Sequence, residues 1–172
     1  MFARAFSDTL AVIYWVPERQ ADFVASTTMI NGFHHTGIVV KDLDKMVRFY
    51  TQDVGLDLLL ELDSIAPPDG DHTGFPGARR KLVFVGFEQD HRIELIQYHD
   101  PPSPEGHLER HQLGSMHVCF RVDDVRGLHK SLGAKGIRFV TEPKFREVDG
   151  KTIGVVYAYD PEGNVLEFIE GL

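Results

Sequence analysis

From residue 33 onward, apolar and polar positions follow one another in an order that the chain runs through twice. A short apolar run over 36–40 reads as a strand. Asp42 then stands where a helix cap belongs. Leu43, Met46, Val47 and Tyr50 fall at helical spacing as far as Gly55, a residue suited to ending the helix. Strand-like runs follow at 56–62, 81–87 and 91–98. The order restarts with a strand at 116–122. Asp124 is the second cap, Val125, Leu128 and Leu132 make the buried stripe, and Gly136 is the stop. Runs at 137–140, 153–159 and 165–169 complete the second set, and Asp160-Pro-Glu-Gly-Asn between the last two is a hairpin turn signal. The expected fold class is therefore α+β, built from paired βαβββ modules.

The pattern divides the chain into an N-terminal arm (1–32) and one domain (33–171), built of module one (33–99), a linker rich in proline and charge (100–114) and module two (115–171). The arm's apolar run at 10–16 follows Arg4, but Asp8 interrupts it and no small-x-small site follows, so it reads as an arm packing Trp15 on the domain or on a second subunit rather than a secretory signal. The stretch 64–80, rich in Pro and Gly and ending in Arg79, Arg80 and Lys81, reads as a solvated surface loop, with a charged lid as the alternative.

Composition narrows the function. A formal charge of −8 argues against nucleic acid or an anionic membrane as partner, and no apolar stretch is long enough to span a bilayer. Cys119, the one cysteine, allows no internal disulfide, which fits a reducing cytoplasm. Exposed sheet edges lead us to expect a homodimer.

The candidate chemistry lies in the repeat. His35 heads the first strand of module one and His117 that of module two, while Glu94 and Glu167 sit on the last strands among apolar residues. An unpaired carboxylate in such a strand costs several kcal/mol, a penalty that a cation removes. Two imidazoles and two carboxylates suit a divalent metal: Ni, Co, Mn, Zn or Fe. Alternation puts Cys119 and Arg121 on the side of His117, and Arg92, Ile96 and Tyr98 on the side of Glu94, opposite the helix-covered face. Arg92, Tyr98 and Arg121 are thus candidate substrate contacts. The alternative for the two arginines is an ion pair with a glutamate.

At these residues the chain resembles the vicinal oxygen chelate superfamily, which includes glyoxalase I, methylmalonyl-CoA epimerase, extradiol dioxygenases and the fosfomycin and bleomycin resistance proteins. The resemblance is carried by His35-Thr-Gly-Ile, Arg48-Phe-Tyr-Thr, Gly55-Leu, His117 with Val122-Asp-Asp, and Asp160-Pro-Glu-Gly-Asn-Val-Leu-Glu167. It implies paired βαβββ modules forming a curled mixed sheet around a metal held by His35, Glu94, His117 and Glu167. It further implies a glyoxalase-like lyase or isomerase acting on a small oxygen-chelating substrate through a metal-stabilised enediolate, with Glu167 as the leading base and Glu94 the second. Glu94, where the epimerase has Gln, and the lack of an acid in 82–87 argue against an epimerase. Val39 and Tyr98 stand where glyoxalase I has its glutathione-contacting Arg and Asn. The alternatives are an iron(II) dioxygenase and a metal-free drug-binding protein.

Overall fold

Each apolar run becomes an element where its local signals agree. The computed structural model describes residues 30, 32–87, 91–106 and 108–172. The arm, apart from Ile30 and Gly32, and Trp15 with it, lies outside the described residues. Module one consists of β1 (His35–Val39), α1 (Leu43–Arg48) continuing into a wider π-helical turn (Phe49–Val54), β2 (Asp57–Ile65), β3 (Arg79–Gly86) and β4 (Arg92–Asp100). Module two consists of β5 (His117–Arg121), α2 (Val125–Ala134), β6 (Lys144–Val148), β7 (Lys151–Tyr159) and β8 (Val165–Glu170).

Both expected caps form. The Asp42 side chain accepts a hydrogen bond from Lys45 N at 3.0 Å, and Asp124 accepts one from Gly127 N at 2.9 Å. Gly55 ends the first helix at φ 93°, a left-handed conformation that a residue with a Cβ adopts at a cost. The two sheets have matching orders, β1-β4-β3-β2 and β5-β8-β7-β6. In each, the first and last strands of the module run parallel and the other pairs run antiparallel.

One expected strand is misplaced. Residues 137–140 form only an irregular stretch beside β7, through a Phe139–Ala158 bridge and bonds from Val140 N to Tyr157 O and from Tyr159 N to Arg138 O, each 2.9 Å. The edge strand is β6, six residues beyond Arg138 at its start. Pro143 has no N–H to give to a ladder, so pairing with β7 stops and restarts on its far side. Module one has no proline there, and β2 runs unbroken along β3 with a single bulge between Leu58 and Leu60. The linker also starts later than expected, because β4 extends through His99 and Asp100.

The two modules share one hydrophobic core. Leu43, Met46, Phe49 and Tyr50 from the first helix join Val83, Val85, Ile93 and Leu95 of the first sheet. They meet Val125, Leu132, Val156, Ala158, Leu166 and Phe168 of module two in a single buried cluster. Polar groups pin this seam. The buried Tyr50 hydroxyl donates to Asp160 Oδ2 at 3.2 Å, while Glu162 accepts from Lys41 N at 2.8 Å and Asp42 N at 2.7 Å. Asp160 also accepts from Glu162 N, Asn164 N and Asn164 Nδ2, which closes the hairpin turn read from the sequence. Burial pushes the Asp160 carboxyl up and the Tyr50 phenol well up from their ordinary pKa values. With both inner faces packed on this core, the outer faces carry the candidate site.

Candidate metal centre

Strand alternation and register build the site. In β4, Ile93 and Leu95 are buried at 3% and 0%, so Glu94 between them points to the opposite face. In β8, Leu166 and Phe168 are buried in the same way and turn Glu167 outward. Parallel pairing with β1 and β5 then brings each glutamate beside a strand-head histidine. His35 Nε2 lies 3.0 Å from Glu94 Oε2, and His117 Nε2 lies 2.9 Å from Glu167 Oε2. Both carboxylate side chains are 16% exposed; the imidazoles are more open.

Within one chain these are two separate pairs. No group of three or more His, Cys, Asp or Glu side chains gathers around one point among the described residues. The donor chemistry nevertheless suits a cation. Two donors at right angles, each about 2.1 Å from one metal ion, stand about 3.0 Å apart, and both pairs have that spacing.

The pairs have unlike neighbours. Opposite Glu94 stand Gly37 on β1 and Phe84 on β3; opposite Glu167 stand Cys119 on β5 and Tyr157 on β7. The Phe84 and Tyr157 rings meet His35 and His117 edge-on, at 5.5 and 5.3 Å. Only the second carboxylate has titratable neighbours at these register positions, and its charge acts on both the Tyr157 phenol and the Cys119 thiol. Burial, and then the Glu167 charge, push the Cys119 thiol up to about 12. The same two causes raise the Tyr157 phenol.

His34 departs from simple alternation. It precedes β1 instead of continuing it, and its Nδ1 shares a 2.7 Å hydrogen bond with His35 Nδ1. The second module has Met116 at this place. Arg92 lies at the register position of His35, on the face of Glu94. Arg121 is exposed on the face of His117 and makes no ion pair among the described residues, and Glu167 pairs with His117 instead. Tyr98 lies farther along, under Phe75 (ring centroids 6.0 Å apart) and beside Arg80. Arg80 is not a solvated loop charge: it is 5% exposed and bonded to Ser64 and Asp71. Thr73 hydroxyl and N–H donors, with Arg80, hold the Asp71 carboxyl well below the usual range. They fasten the 66–78 loop beside the sheet.

Two residues escaped the sequence reading. Arg110 of the linker donates to the Tyr159 hydroxyl and lines, with His117, Tyr157 and Met116, a recess of about 270 Å³. Tyr157 had a countable signal. A hairpin closed by a turn over 160–164 pairs residues equidistant from 162, and these include 157 with 167. A larger cleft of about 520 Å³ runs between β1 and β5, with His117 on its wall.

Comparisons with known proteins agree with this architecture. A profile of the Glyoxalase/Bleomycin resistance protein/Dioxygenase superfamily matches residues 32–168. The lactoylglutathione lyase of Schizosaccharomyces pombe is 28% identical over 159 residues, covering 85% of this chain, and the chain spans 50% of that relative's length. A probable lactoylglutathione lyase of Synechocystis is 28% identical over 138 residues, covering 79% of this chain and 92% of its own. The mitochondrial methylmalonyl-CoA epimerase of Bos taurus is 26% identical, covering 80% of this chain and 73% of its own. The crystal structure of a glyoxalase family protein from Bacillus cereus, 22% identical, superposes with a TM-score of 0.73 over 86% of this chain and 98% of its own. The profile spans both βαβββ units and the fold repeats its architecture, so the chain belongs to the Glyoxalase/Bleomycin resistance protein/Dioxygenase superfamily.

Proposed function

We propose that this chain is a metal-dependent, glyoxalase-like lyase or isomerase in which His35, Glu94, His117 and Glu167 hold one divalent cation. The observation that carries this reading is the equivalence of the two His/Glu pairs: same strand positions, separations of 3.0 and 2.9 Å, and carboxylates with 16% exposure. Among the described residues one chain brings together only a pair at a time, and in this reading the quartet joins the first pair of one copy to the second pair of another. A homodimer with such shared sites also covers the open faces opposite the common core. Neither the dioxygenase nor the drug-binding reading gains support over this one.

A bound cation supplies Lewis acidity that polarises a substrate carbonyl and eases loss of a proton from the neighbouring carbon. Glu167 takes that proton and returns it to the adjacent carbon, with Glu94 as the second candidate base. Arg92, Arg121 and Tyr98, on the same faces, contact the rest of a small substrate bearing adjacent oxygens. The lyase names of the S. pombe and Synechocystis relatives make glutathione adducts of α-ketoaldehydes the first substrates to test.

Elemental analysis of the purified protein and of its His35→Ala and His117→Ala variants tests the assignment. We expect stoichiometric Ni, Co, Mn, Zn or Fe in the parent and loss of metal in both variants. Full occupancy in either variant overturns the quartet. Absence of turnover of every thiol adduct by the metal-loaded protein overturns the glutathione part alone.

A further inference from the structure

We propose that Arg110, Arg138 and Tyr159 form an oxyanion site beside the second His/Glu pair, and that the substrate is anionic: its adjacent oxygens meet the cation while the two guanidinium groups hold a carboxylate or phosphate. The link to a substrate rests on the function proposed above; the anion site rests on contacts within one chain. It begins with the row that crosses each sheet at its strand-head histidine. In module two that row runs His117, Val165, Tyr159, through direct partners on β5, β8 and β7. Arg138 continues it, its carbonyl accepting from Tyr159 N at 2.9 Å. The next residue, Phe139, pairs with the core residue Ala158, so alternation turns Arg138 to the outer face. In module one the same row runs His35, Arg92, Gly86, Asp57, with no ring at the third place and an acid at the fourth.

Tyr159 gathers two cations. The Arg138 guanidinium lies 3.9 Å from its ring centroid, and Arg110 reaches in from the linker, 5.6 Å from the centroid, to donate to the hydroxyl. Stacking on an aromatic face fixes a guanidinium that otherwise samples many rotamers. The hydroxyl accepts from Arg110 and keeps its own proton to give. Neither arginine has a carboxylate partner among the described residues, in a chain whose formal charge is −8. Lys41, Arg80, Lys81 and Lys135 each have one. Two like charges held at one ring without a counter-charge repel each other, and an anion relieves that repulsion. Arg110 also lines the recess of about 270 Å³ that His117 lines, so a molecule filling it touches both. Guanidinium forks match the oxygens of carboxylate and phosphate alike.

The test uses the Co²⁺-loaded full-length protein and a set of hydroxamates, which present adjacent oxygens to a cation. Acetohydroxamate has no charged tail. Succinate and adipate monohydroxamates carry a carboxylate at two distances, and phosphonoacetohydroxamate carries a phosphonate. Affinities are read from the visible Co²⁺ spectrum. At least one tailed ligand is expected to bind the parent about tenfold more tightly than acetohydroxamate, the scale of one hydrogen bond to a charged group. The tail with the largest gain distinguishes carboxylate from phosphate. Replacing both arginines, Arg110→Gln with Arg138→Gln, is expected to abolish the gain and leave acetohydroxamate affinity within about threefold, the usual scale of an exposed substitution. Arg126→Gln, which removes an exposed cation of α2 stacked on Phe145, is expected to keep the gain. No gain for any tailed ligand overturns the proposal. So does a gain that survives the double variant, or one that Arg126→Gln abolishes equally, the mark of diffuse charge attraction. A parallel loss of acetohydroxamate affinity in the double variant also overturns it, as the mark of a purely structural role. A parent protein that takes up no Co²⁺ overturns the four-ligand reading instead, and calorimetry of the metal-free protein with succinate and inorganic phosphate then decides the anion site. Binding of either that the double variant loses supports the site; binding of neither, or binding that survives, overturns it.

Discussion

Glu94 and Glu167 occupy the same place in their two sheets, and each sits within 3.0 Å of a strand-head histidine. Their surroundings are nonetheless different. Module one flanks its carboxylate with Gly37 and Phe84; module two flanks its own with Cys119 and Tyr157. The strand-head/last-strand geometry recurs because the backbone repeats: parallel pairing of the first and last strands puts any His and Glu at these positions together. The neighbours differ because a repeated backbone does not dictate which side chains stand opposite. The pairing of His with Glu is thus a property of the fold, whereas the different surroundings of the two glutamates come from individual residues.

The largest test of this contrast is on turnover, once a substrate is in hand. Glu167→Gln should lower kcat by about a thousandfold, the scale of a lost general base, while Glu94→Gln should act mainly through weaker metal binding and recover much of its activity at high metal concentration. Steady-state kinetics across a metal titration distinguishes them; equal, metal-independent losses would mean that the asymmetry has no mechanistic weight. Next in size is the reactivity of Cys119. With its pKa pushed up to about 12 by burial and by Glu167, it is almost entirely thiol at pH 8, so iodoacetamide should alkylate the native metal-free protein at least about a hundredfold more slowly than the unfolded chain. Mass spectrometry over a time course measures this, and comparable rates would place the thiol outside the Glu167 environment. The smallest effect belongs to Gly37→Ala. The added methyl would meet Ile96 Cδ1 at 3.5 Å and Glu94 Oε2 at 3.7 Å, ordinary contacts. Thermal unfolding should move by no more than about 0.5 kcal/mol equivalent, and metal affinity by less than about threefold. A large loss would show that module one also depends on the residue facing its glutamate.

Most of the first-order architecture was readable along the chain. Asp42 and Asp124 cap the helices they precede, Gly55 stops the first one in a left-handed conformation, and the Asp160–Asn164 turn closes β7 onto β8. Alternation correctly turned Glu94 and Glu167 away from Ile93, Leu95, Leu166 and Phe168. Where the reading failed, the deciding interaction was remote or absent from the local pattern. The apolar run at 137–140 had the look of a strand, but the pairing partner β7 offers a ladder on both sides of Pro143 and the longer ladder formed beyond it. Arg80 read as part of a solvated basic run, yet Asp71 and Ser64 reach it across the loop and bury it.

Taken alone, the chain determined the succession of elements, the faces of its strands and the four candidate ligands, because caps, turns and two-residue alternation are short-range properties carried by a few consecutive residues. Tertiary structure decided what stands beside each ligand and how the ligands are grouped. The places of Tyr157 and Cys119 opposite Glu167 depend on strand register, and the separation of the candidate ligands into two pairs goes with both sheets packing their inner faces on a common core. Such choices are made by burial summed over residues far apart in sequence, and no local window contains that sum.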